Sequence, residues 1–104
     1  MDIELLELAA KAAGMVVHWN YRREQFFHDY CDGLTDEWNP LTDDGDALRL
    51  AVKLKLCIFR NDDVSWVATG SFQTVRAEEV NGTDPYAATR RAIVRAAAEI
   101  GRRM

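Results

Sequence analysis

Two cysteines, two prolines, two histidines and six glycines are all that the chain holds of those residues. Each scarcity excludes something. Cys31 and Cys57 stand alone, in no paired spacing, so neither a disulfide framework nor a zinc-finger knuckle is spelled out. Reduced thiols in a cytoplasmic setting are the expectation, and little else in the sequence supports a Cys31–Cys57 disulfide. No apolar run approaches the ~20 residues of a membrane span. The opening MDIELLELAAKAAGM is acidic and lacks the basic start of a secretory signal. Catalytic motifs are missing as well. There is no phosphate-cradling glycine loop and no dinucleotide fingerprint. Ser65, Ser71, Cys31 and Cys57 lie in no elbow that would pair a nucleophile with a base.

One sign of charge is absent over a long stretch. Residues 29–46 hold seven acids (Asp29, Asp32, Asp36, Glu37, Asp43, Asp44, Asp46) and no base. From Asp84 onward the balance reverses to +3, carried by Arg90, Arg91, Arg95, Arg102 and Arg103, which leaves −7 on residues 1–83 of a chain with net charge −4. An acidic total argues against a dedicated nucleic-acid binder, whose footprint is normally basic.

What is present is ordinary for one globular domain: 104 residues, 48% hydrophobic and 29% charged. A domain of that length buries about 65% of its unfolded surface, enough for one core. Residues 2–13 read as a helix, with Asp2 as cap and Gly14 as the left-handed stop. Residues 15–19 and 25–30 are rich in β-branched and aromatic side chains and predict a hairpin around Asn20–Glu24. A symmetric turn about Arg23 would set His18 opposite His28. With Cys31 and Cys57 nearby such a pair suggests zinc, but two ordinary sheet histidines are the plainer expectation. Cys31–Pro40 reads as a loop.

The acidic segment WNPLTDDGDA (38–47) raises the question of a metal loop. A calcium loop needs acids at alternating positions before its glycine and a later bidentate glutamate; DDGD meets neither condition. Helix capping by Thr42 or Asp43, with acids facing the positive end of the helix dipole, explains the segment instead. Gly45 is then costly inside a helix, and close approach of the Trp38 ring is a candidate reason. The helix runs to Leu54. Residues 56–60 and 64–69 predict a second hairpin around Asn61–Asp63, and 72–78 either continue its second strand or form a fifth. Asp84 and Pro85 open a last helix, with Tyr86, Thr89, Ile93, Ala96, Ala97, Ile100 and Met104 as its apolar stripe. Its many alanines predict close packing on a sheet. Three amphipathic helices and strands that are apolar on both faces predict an α+β fold, a three-layer α/β/α sandwich with one mainly antiparallel sheet of four to five strands.

Two blocks, WNPLTDDGDALRLAVKL (Trp38–Leu54) and DPYAATRRAIVRAAAEIG (Asp84–Gly101), resemble the phage ABA sandwich domain, a family of small proteins encoded by tailed phages and prophages. The resemblance covers about a third of the chain. It implies the same layered fold, a viral origin and a host-bacterial cytoplasm. It carries no catalytic or binding residue with it.

The expected function is that of a non-enzymatic phage accessory protein acting by contact with a host or phage protein. No metal, cofactor or membrane is expected. The candidate interaction surface is Arg91, Arg95 and Arg102 on the last helix, with Trp38. A nucleic-acid-associated regulator using the same arginines is the alternative, and a small hydrolase the third.

Overall fold

The computed structural model describes residues 2–29, 35–69 and 75–104. The order is α1 (Ile3–Ala12), β1 (Val17–Asn20), β2 (Gln25–Asp29), β3 (Thr35–Trp38), α2 (Asp44–Lys53), β4 (Leu56–Arg60), β5 (Val64–Thr69), β6 (Arg76–Val80) and α3 (Pro85–Arg103). The fold is α+β with three helices, but the strands form two sheets, not one of four to five. β1-β2-β3 and β4-β5-β6 are each antiparallel and three-stranded. Each hairpin has its own third strand. β3 arises within the segment expected to be a loop, and β6 is a strand separate from β5.

α3 is the hub. It packs against α1, α2, β5 and β6. Ala88, Ala92, Ile93, Val94, Ala96, Ala97, Ala98 and Gly101 are all buried, so the alanines serve helix neighbours as well as the sheet. Gly101 meets the backbone of α1 directly: a Cβ there would lie 2.0 Å from the Leu8 carbonyl oxygen. The ends of the expected stripe, Tyr86 and Met104, are exposed instead. Leu6, Ala9, Phe26, Trp38, Leu50 and Val67 join α3 in one core.

The helix boundaries follow local chemistry. Asp43 caps α2 by accepting from the Asp46 amide at 2.7 Å, and Asp84 caps α3 by accepting from the Ala87 amide at 3.1 Å. Asp2 does not cap α1 with its side chain; its carboxylate turns toward Arg91, 3.6 Å away. Gly45 makes room for Arg49 and Asp43, whose side chains lie 3.2 Å from where its Cβ would be, and not for Trp38. No glycine follows α2. Lys55 adopts φ +56° and turns the chain into β4, a conformation that normally selects glycine.

Candidate functional site

The arginine face of α3 is where the sequence points first, and its charge is largely compensated. Arg91 lies 3.7 Å from Glu79 and 3.6 Å from Asp2. Arg95 binds the Glu79 carboxylate and donates to the Glu78 carbonyl oxygen at 2.9 Å. Arg102 and Arg103 share Glu99, at 2.8 and 3.2 Å. These two guanidiniums hold the Glu99 carboxyl below the usual range, Arg102 contributing more. Arg90 reaches across to α2, donating to the Leu41 carbonyl and pairing with Asp44 at 2.7 Å. The side chains of Arg91, Arg95 and Arg102 are half exposed, so they keep a solvent face while facing acids on their other side. Trp38 belongs elsewhere. It is only 4% exposed and packs in the core beside Phe26, its cross-strand partner, which leaves it little surface to offer.

The histidines part company. The register pairs Val17 with His28 and His18 with Phe27, one residue away from a symmetric turn. Such a slip sends alternate side chains to opposite faces. His18 bonds Asp29 at 2.9 Å and stacks on Phe27, whereas His28 shares the Phe26 face. The proposed zinc grouping therefore loses its histidine pair, and Cys31 lies outside the described residues. No group of three metal-ligating side chains forms among the described residues.

Ser65 also resolves into structure. It is fully buried and bonds Asn81 at 2.6 Å and Thr89 at 3.1 Å. Asn81 in turn donates to the Asn61 carbonyl oxygen. The network ties the β4–β5 turn to the start of α3, and it presents Ser65 with no general base. Ser71 lies outside the described residues.

Two surfaces that the residue pattern did not single out remain. The first is the face of the β4–β5–β6 sheet turned away from α3. Ser65 and Val67 point toward α3, so Cys57, Phe59, Val64, Trp66, Arg76, Glu78 and Val80 point the other way. Phe59 and Trp66 are directly opposite and stacked, with ring centroids 5.6 Å apart and planes 15° from parallel. The Arg76 guanidinium sits 5.6 Å from the Trp66 ring centroid. Phe59 is 42% exposed and Val80 77%. The alternation Val64, Trp66, Ala68 was visible in the sequence; what was not visible is that α3 would pack on the other side.

The second is a cleft of about 1190 Å³ beside β3. Asp36, Glu37 and Asn39 line one side, Asp43, Asp46, Arg49 and Lys53 another, and His28 with Met15 close it further. Asp46 is its most constrained group. It accepts from the Asn39 amide at 3.0 Å and from Arg49 at 2.7 Å, which pins α2 to the end of β3. DDGD thus caps and ties. No described helix is long and apolar enough to cross a membrane. No family model matches the chain, and neither a curated protein nor a solved structure is significantly similar to it.

Proposed function

We propose that the protein is a non-enzymatic accessory module that works by binding another protein, and that the Phe59–Trp66 face of the second sheet is its contact surface. The supporting observation is the pre-ordered aromatic stack, with Phe59 exposed and Trp66 half-buried on a sheet face and flanked by Arg76 and Glu78. Aromatic side chains with few rotors dominate binding hot spots because they bury large area at small entropic cost. Charges of both signs beside the stack suit a polypeptide surface that carries an aliphatic or aromatic anchor within a polar rim. A phosphate backbone would ask for a surplus of cations that Arg76 and Glu78 together do not supply. The resemblance of the α2 and α3 blocks to the phage ABA sandwich family adds the proposal of a viral origin, with a host or phage protein as partner.

The test compares captures from cells producing tagged protein. A single stoichiometric partner held by the wild type and by Arg91→Glu/Arg95→Glu, but lost from Phe59→Ser/Trp66→Ser with the fold intact by circular dichroism, would support the proposal. Loss with the arginine variant, or co-purifying nucleic acid, would transfer the function to α3.

A further inference from the structure

We propose that the outer edge of β3 takes up an extended polypeptide segment as an antiparallel fourth strand of the first sheet, in the cleft against α2, with a basic residue opposite Asp36. This surface is distinct from the aromatic face of the other sheet, and the two stand or fall separately.

The hydrogen-bond parity of the sheet carries the inference. The Asp29 amide donates to the Val16 carbonyl oxygen at 2.8 Å, so Asp29, Phe27 and Gln25 direct their backbone groups toward β1. His28 and Phe26 then direct theirs toward β3, where their partners are Asp36 and Trp38. Thr35, Glu37 and Asn39 are left facing outward. The Asn39 amide confirms the direction, because it is bonded from that side by Asp46 of α2. Upstream of this pin, Thr35 and Glu37 each present an N–H and a C=O to the cleft side, with no backbone partner among the described residues. Glu37 itself lines the cleft. An edge with no backbone partner among the described residues, beside a cavity of this size, has the shape that strand addition uses: main-chain bonds supply affinity and alternate side chains supply selectivity.

Charge selects the occupant. Glu37 is already paired with Arg23 at 2.8 Å. Asp36 shows no ion pair among the described residues, and Asp43 stands exposed across the cleft. An incoming residue opposite Asp36 has its side chain on the cleft face, and a lysine or arginine there meets this carboxylate. Arg49 does not oppose it strongly, since Arg49 is engaged with Asp46 and Asp43; Lys53 also lines the cleft, where Asp36, Asp43 and Asp46 outnumber the two cations. The same acids also discourage edge-to-edge pairing of two copies, because like charges would meet.

The probe is a fluorescein-labelled, end-capped octapeptide alternating valine and lysine, with a valine–glutamate octapeptide as control. In the expected register, antiparallel to β3 like the other pairings of this sheet, lysine lies opposite Asp36 and valine opposite Glu37. Valine therefore bonds the edge and lysine does not. N-methylation of the valine nitrogens should weaken binding about tenfold or more, while N-methylation of the lysine nitrogens should change it less than about threefold. Asp36→Lys should reverse the preference in favour of the glutamate peptide. Glu37→Pro should lose the lysine peptide while Glu37→Gln retains it. Proline is tolerated at an edge position whose N–H faces outward, and if Glu37→Pro fails to fold the N-methylated peptides still decide. Equal losses from both methylation patterns, indifference to Asp36→Lys, or no saturable binding of the lysine peptide would overturn the proposal.

Discussion

At the level of single residues, two side chains carry a conformation or a charge that a substitution can test. Lys55 occupies the left-handed position that ends α2, at φ +56°. A side chain costs about 1–2 kcal/mol there. Glycine removes that cost but loses about 0.5–1 kcal/mol through the freedom it gains when unfolded. Lys55→Gly is therefore expected to stabilise the protein by about 0.5–1 kcal/mol, read from urea unfolding midpoints at constant slope. A destabilised variant would mean that Lys55 makes a contact worth more than its strain. Glu99 is the other case. With its folded pKa depressed by Arg102 and then Arg103, the carboxylate adds stability that is present above the usual glutamate range and is lost as pH falls through the folded value. The carboxyl is exposed, so the effect on unfolding is small. The clean measurement is a carbon-detected titration of Glu99. Its midpoint should rise toward the ordinary value in Arg102→Ala, and rise less in Arg103→Ala.

At the scale of elements, tight contacts and strand parity decide what the sequence left open. α1 and α3 approach so closely at Gly101 that any β-carbon collides with the Leu8 carbonyl oxygen. Backbone on both sides cannot swing away as a flexible side chain would. Gly101→Ala should cost about 3 kcal/mol, the upper part of the usual overpacking range. A thermal melt within a degree of wild type would show that the helices slide apart freely. Elements with a strong local signature were legible. The β4–β5 hairpin falls at 56–60 and 64–69 because apolar alternation flanks the Asn61–Asp63 turn, and Asn61 does brace it by accepting from the Asp63 and Val64 amides. Asp84–Pro85 and Asp43 mark helix starts because capping is a local bond. β3 was not legible. Thr-Asp-Glu-Trp has three exposed residues of four and poor strand composition; it is a strand because β2 pairs with it and the core takes Trp38. The β1–β2 register was hidden for a related reason. It depends on the loop Tyr21–Glu24, where Glu24 takes φ +49°, and a one-residue difference in that loop exchanges the faces of His18 and His28.

At the scale of the whole molecule, the unequal distribution of charge meets the question of which macromolecule the protein favours. Five arginines lie on α3, and in the sequence they look like a cationic stripe facing an acidic remainder. Folding brings parts of that remainder onto the stripe. Asp2 from before α1, Glu79 from β6, Asp44 from α2 and Glu99 from α3 itself each meet one or two of the arginines. A phosphate arriving at Arg91 or Arg95 must displace Glu79 or share its partner, so less counterion is released per contact than a free stripe would give. Three uncompensated contacts on duplex DNA would produce a log–log salt slope of roughly −2.7, at about −0.9 for each phosphate neutralised. The expected outcome in a fluorescence anisotropy titration at physiological salt is no saturable binding of duplex or single-stranded DNA. The acids on β3 and α2 add a repulsive field that is only partly screened over a Debye length of ~8 Å. Glu79→Gln with Glu99→Gln is the informative variant, because it neutralises the carboxylates shared by Arg91 with Arg95 and by Arg102 with Arg103 without touching the arginines. If it gains salt-sensitive DNA binding with a slope approaching that of three contacts, compensation is what keeps the wild type off nucleic acid. Sub-micromolar binding by the wild type, abolished in Arg91→Glu/Arg95→Glu with the fold intact, would instead show that these ion pairs open on contact with phosphate, and would assign the function to α3 in place of the aromatic sheet face.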